Sequence, residues 1–270
     1  MKTKASSCRL AAAAALPYLA FCLTHLVPLA ITLIYAFMKD PVFPEFHLLD
    51  NFSYLLKNRY FLLGFRNLIS LGLLMVLTAF SLSVLIAPLL CLHPRLAKLA
   101  IVLFILPMVI PSVSASVVWK NAFDTRSILE SGKARFALIS LFAWKYAGLG
   151  STILFSALKR IPDSLTDAAK MDGAGCMLTY FAVRLPCIPG EIGAVIGLYL
   201  IFMLRSYKEM YLLFGAYPSE KVYMLQHYMN HQYTNMSFQY VAAGALLLIL
   251  FALIMYAFTY FLFIKRRKAF

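Results

Sequence analysis

Six long apolar blocks, each close to the roughly 20 residues that carry a helix across a bilayer, constrain this chain more than any other feature. They lie near positions 12–38, 66–90, 97–119, 136–158, 187–207 and 241–264. Only helices or closed barrels satisfy every backbone group in hydrocarbon, and these uninterrupted runs lack the alternation of a barrel strand. A soluble domain is about half apolar and about a quarter charged. This 270-residue chain is 62% hydrophobic and 13% charged, with a mean hydropathy of +0.79. The expected fold class is all-α: a polytopic membrane protein of six transmembrane helices, forming one domain over 1–270.

The net charge of +14 raises nucleic-acid binding as an alternative. It is set aside because the basic residues fall between apolar blocks rather than on one polar face. They read as topology signals. Segments 1–9, 91–98, 159–185 and 265–270 carry Lys and Arg more densely than the longer segments 39–65, 120–135 and 208–240. This predicts that both termini and the 159–185 loop are cytoplasmic, with Lys265-Arg266-Arg267-Lys268 the strongest stop signal. Met1–Arg9 resembles a signal peptide, but the run from Leu10 to Met38 is too long for one and no small-residue cleavage site closes it, so an uncleaved first span is expected. The five cysteines, Cys8, Cys22, Cys91, Cys176 and Cys187, contain no CxxC and read as small apolar filler.

Pro107 and Pro111 interrupt the third block, where each removes a backbone hydrogen bond and favours a kink. The bend is either static or shapes a central pathway. The 159–185 loop is more ordered than a tether requires. After Pro162, Asp163 or Ser164 can cap a short helix. Leu165, Ala168, Ala169 and Met171 supply its apolar stripe, and Gly173 can end it in a left-handed conformation. A second short helix follows, with Leu178, Phe181 and Val183 as apolar positions before Leu185-Pro186. This helix–turn–helix at the membrane surface either inserts its small-residue face into another protein or anchors the loop at the interface.

The loop resembles that of the permeases of bacterial binding-protein-dependent ABC importers, patterned E-A-A-x3-G-x9-I-x-L-P. Here Asp167-Ala168-Ala169, Gly173, Val183 and Leu185-Pro186 stand at those spacings, with Asp167 and Val183 as conservative departures. Ile161-Pro162 together with Met171-Asp172-Gly173-Ala174 is similar to the carbohydrate branch (maltose-, lactose- and glycerol-phosphate-type systems). Leu106-Pro107, Ile110-Pro111, Trp119, Trp144 and the Tyr211–Pro218 stretch extend the likeness over most of the chain, although the last departs from the family's usual ending. The resemblance implies a type I importer permease fold. It implies docking of Asp167, Ala168, Ala169, Met171, Asp172, Gly173 and Ala174 on a cytoplasmic ATPase. The implied partners are two ABC ATPase subunits, a second permease and an extracellular substrate-binding protein or lipoprotein. ATP and Mg would bind the ATPase partner, and no cofactor is expected in this chain, which has no GxxxxGK[ST]; Gly132-Lys133 lacks the flanking residues.

Within the spans, Lys145 is a candidate pathway residue because intramembrane charge is costly, or it snorkels to the interface. By resemblance the sugar meets this helix, at Lys145, Tyr146 and Leu149, and the helix after the loop. There Tyr199, Phe202, Met203 and Ser206 recur at helical spacing, as a sugar-contacting face or as helix packing. Arg205, Lys208 and Glu209 suggest a local ion pair at the outer end of span five, and Glu191 is assigned no chemistry. His227 and His231 are four apart, but no further ligand type lies nearby, which argues against a metal. A gradient-driven carrier would need several deep charges, and a membrane enzyme would need a clustered catalytic set; neither pattern is present.

Overall fold

A computed structural model describes residues 15, 17–39, 45–92, 94–123 and 133–265. The N-terminal Met1–Arg9 segment with Cys8, Gly132 and the basic run from Arg266 therefore lie outside the described residues.

The apolar runs form helices. Four are long and apolar enough to cross a membrane: α1 (Pro17–Ala36), α3 (Arg59–Leu92), α6 (Lys133–Leu158) and α12 (Phe238–Phe263). Two bent pairs bring the total to six if each is one span. The first is α4 (Pro94–Val109) with α5 (Ser112–Ala122), bent by 92°. The second is α8 (Cys176–Cys187) with α9 (Pro189–Arg205), bent by 82°. The kink expected at Pro107 and Pro111 is thus a right-angled break, and it sits at Pro111, whose extended backbone (φ −55°, ψ 139°) ends the approach to α5. Pro107 stays inside its helix. The second span begins earlier than its hydropathy suggests, at Arg59. Shorter helices are α2 (Asp50–Lys57), α7 (Asp163–Met171), α10 (Tyr207–Phe214) and α11 (Leu225–Thr234). Among the described residues there is no strand, only an isolated bridge between Met38 and Phe46.

The chain divides into two units. One comprises residues up to Leu62 together with Tyr228–Leu250. Here α2 is held under the end of α1 by Asn51, whose side-chain amide donates to Ala36 O at 2.9 Å and Met38 O at 2.7 Å. These carbonyls lie at a helix end that lacks intrahelical partners. Tyr54 stacks on Tyr240 at 4.3 Å.

The other unit, Leu63–His227 with Phe251–Phe270, carries the 159–185 loop and every candidate pathway residue. Its centre is α6, mostly buried and packed against α4, α5 and α9. Small residues allow the approach: a Cβ on Gly148 would lie 1.8 Å from Phe104 O, so α4 touches α6 backbone to backbone. Asn67 repeats the device of Asn51, donating to Glu220 O at 2.7 Å and Tyr223 O at 2.8 Å and so fixing the connection before α11.

Candidate functional site

The loop after α6 folds into the short helix α7 and the start of α8. Pro162, with extended backbone (φ −58°, ψ 139°), occupies the capping position of α7, and neither Asp163 nor Ser164 makes a side-chain cap bond; Asp163 lies in the first turn instead. The other end closes as a Schellman turn. Gly173 N–H donates to Lys170 O and Ala174 N–H to Ala169 O, both at 2.9 Å, with Gly173 at φ +82°. A Cβ there would meet nothing within 4 Å, so the demand for glycine is one of backbone conformation, not of space.

The two faces of α7 differ. Ala169 is buried and Thr166 half-buried, whereas Asp167, Ala168, Met171, Asp172 and Gly173 are exposed, Met171 to 88%. The Asp167–Lys170 ion pair at 3.1 Å is exposed and contributes little. In α8 the inward residues are Thr179 and Tyr180, while Leu178 and Phe181, two of the apolar positions read from the sequence, are exposed with Met177, and Val183 is half-buried. Anchoring explains the difference, because the Tyr180 hydroxyl donates to Val84 O at 2.6 Å and pins that face to α3. Arg184 Nη2 donates to Leu158 O at 2.9 Å, and Arg160 pairs with Glu191 at the start of α9. The loop is thus tied to three spans and presents Met171, Met177, Leu178 and Phe181 outward with no partner in this unit to cover them.

A second constellation lies within the helices. Lys145 Nζ donates to Glu209 Oε1 at 2.7 Å, and Ser112 Oγ donates to the same oxygen at 2.8 Å, with Lys145 also 3.4 Å from Ser112 Oγ. Both charged side chains are over nine-tenths buried. Lys145 does not snorkel. Nor does Glu209 pair with its neighbours Arg205 and Lys208, which are exposed; helix geometry turns residue 209 toward α5 and α6. The cluster joins α5, α6 and α10. The sequence flagged Lys145 but missed Ser112 and the long-range pairing. The signal available was that a cation so deep requires a buried anion.

The remaining candidates separate by exposure. Tyr199, Met203 and Ser206 are buried. The Tyr199 hydroxyl lies 2.6 Å from Ser83 Oγ and donates to Tyr146 O at 3.1 Å. Tyr146 and Phe202 are half-buried and stack at 4.5 Å, and Leu149 is half-buried beside them on α6. His227 is buried, with Nδ1 accepting from Met224 N–H at 3.1 Å, and burial pushes its pKa down to about 4. No metal-binding group of three or more His, Cys, Asp or Glu exists among the described residues.

Comparison with known proteins places this architecture. The profile of the family described as binding-protein-dependent transport system inner membrane component matches residues 79–268. The chain belongs to that family. It is therefore a multi-pass membrane transport subunit and not an enzyme. The permease is 26% identical over 230 residues to the osmoprotective compounds uptake permease protein GgtC of Synechocystis sp., covering 76% of this chain and 82% of that one. It is 29% identical over 160 residues to the sn-glycerol-3-phosphate transport system permease protein UgpA of Yersinia pseudotuberculosis, covering 53% and 54%. The match thus spans about half of the glycerol-phosphate permease. In fold, the permease superposes on a bacterial ABC transporter involved in import of the acidic polysaccharide alginate, with a TM-score of 0.77 at 21% identity over 95% of this chain and 96% of that one. For the alginate transporter in complex with an alginate pentasaccharide-bound periplasmic protein, the score is 0.78 at 20% identity, covering 98% of both chains. The expected ABC importer permease fold is borne out.

Proposed function

We propose that this permease forms half of the transmembrane pathway of an ATP-driven importer for a sugar or oligosaccharide. A second permease supplies the other half, and an extracellular binding protein delivers the cargo. Two ABC ATPase subunits carry the ATP and Mg, and one of them receives the loop: Asp167, Ala168, Met171, Asp172 and Gly173 form the docking surface, with Ala169 and Ala174 supporting it from within. Both termini and this loop face the cytoplasm.

The observation that carries the reading is the loop itself. A glycine-terminated helix is tied by side chains to three spans and leaves its Met171 and Phe181 side chains uncovered. Such a platform transmits a push on α7 to α3, α6 and α9. Sugar as cargo draws on the alginate transporters that share the fold, and the half-buried Tyr146–Phe202 stack offers an aromatic face of the kind that packs against pyranose rings. A polyol or glycerol-phosphate cargo is the second reading, favoured by the UgpA likeness. Lys145 and Leu149 lie on the same helix as Tyr146 and would shape that pathway, while Tyr199, Met203 and Ser206 would position it.

The test is co-purification with the neighbouring gene products, followed by ATPase assay in membrane discs with binding protein and candidate cargo. Cargo-stimulated hydrolysis that Gly173→Val abolishes without altering helical content is the expected result. Transport by this chain without an ATPase, or unchanged transport in Gly173→Val, overturns the reading.

A further inference from the structure

A cavity of about 250 Å³ lies behind α7, on the side away from the exposed Ala168–Met171–Asp172 face. Thr166 and Lys170, one helical turn apart, line it from α7. Pro88 and Cys91 line it from the end of α3, and Tyr180 and Arg184 from α8. The wall is mostly apolar, and Pro88 and Cys91 belong to the last turns of a membrane-spanning helix.

Its charged residues, Lys170 and Arg184, are both cationic. Arg184 uses Nη2 to hold Leu158 O, but its Nε is buried without a hydrogen-bond partner, and Arg184 makes no ion pair among the described residues. A buried, unsatisfied guanidinium donor calls for an acceptor. Asp167, which is exposed and does not line the cavity, pairs with Lys170 at 3.1 Å.

We propose that this cavity holds an anionic phospholipid, its phosphodiester against Arg184 and Lys170 and the head of its acyl chains along Pro88, Cys91 and Tyr180. The shared recognition chemistry is that of a phosphate anion. A lipid is favoured over free phosphate because the site opens where a spanning helix ends and because its mostly apolar wall offers acyl chains a surface that an inorganic ion cannot use. A lipid in this position braces α7 from behind while a partner meets it in front. That role rests on the ATPase-facing reading of the loop; the binding itself does not.

The experiment is native mass spectrometry of the purified importer complex titrated with phosphatidylglycerol or with phosphatidylcholine of the same chains. Phosphatidylglycerol should be retained preferentially. Each cation near an anionic lipid contributes about 1 kcal/mol, so Arg184→Gln and Lys170→Gln should each lower retention about fivefold. Arg184→Lys should recover most of the loss, and millimolar inorganic phosphate should not displace the lipid. Because Arg184 also holds Leu158, Thr166→Leu provides a variant that fills the cavity and leaves that clamp untouched; it too should lower retention. Equal retention of the two lipids, retention unchanged in Thr166→Leu and Lys170→Gln, or displacement by free phosphate overturns the proposal. Gly173→Val should leave lipid retention intact while uncoupling the ATPase, so failure of the coupling reading and failure of the lipid site give different results.

Discussion

The loop platform and the Lys145–Glu209–Ser112 cluster solve opposite problems. The platform is built from local backbone chemistry and keeps its functional side chains exposed, Met171 above all. The cluster is built from residues 33 to 97 positions apart and hides its charges. The platform should therefore tolerate substitution in folding but not in coupling. The cluster should tolerate it in neither, unless both charges go together.

The largest effect should come from breaking the cluster on one side. Lys145→Met or Glu209→Leu strands a buried charge, at a cost of about 3–5 kcal/mol. The double variant should regain most of that loss, because paired apolar replacements of a buried ion pair are near neutral. Denaturant titration in detergent measures both, and additive losses in the double variant would break the contrast.

His227 gives the next effect. Burial holds its imidazole neutral, with a pKa of about 4 against 6.5 for the free side chain. The unfolded chain takes up a proton that the folded chain refuses. Stability is therefore complete above about pH 6.5 and falls as the pH drops toward 4, by at most about 3 kcal/mol. His227→Gln should flatten a melting profile over that window; an unchanged slope would assign acid sensitivity elsewhere.

Gly148→Ala places a methyl against the Phe104 carbonyl and should cost about 1–3 kcal/mol, whereas Gly197→Ala, with nothing near its Cβ, should be neutral or slightly stabilising. Equal melting temperatures for the two would refute the backbone contact between α4 and α6. The smallest effect on folding belongs to the platform. Gly173→Ala strains a positive φ by about 1 kcal/mol, confined to the end of α7, yet cargo-stimulated ATPase activity should fall far more than that figure implies.

The same contrast explains what the chain reveals before folding. The turn after Met171 is encoded within a few residues, because only glycine enters the left-handed region freely and its neighbours supply the hydrogen bonds. The spans are equally legible, since length and apolarity are properties of a single segment. Lys145 was recognisable as an anomaly, but its partner was not. Glu209 stands beside Arg205 and Lys208, and sequence proximity makes those its natural mates; only the packing of α10 on α5 reveals otherwise. The exposed Leu178 and Phe181 mislead for a related reason. Apolar character predicts burial, but a face can be apolar because it awaits a surface outside the unit.

The break at Pro111 reaches further than a change of direction. A helix that starts anew leaves the backbone donors of its first turn without intrahelical partners. The positive end of α5 thus attracts a carboxylate, and Glu209 stands against its first residue, Ser112. Once that anion is buried, a cation must follow, and α6 supplies Lys145. One imino acid, by denying a hydrogen bond, sets off a cascade of electrostatic debts that ends two helices away, so Pro111→Ala would leave the charges in place but remove the field that holds them.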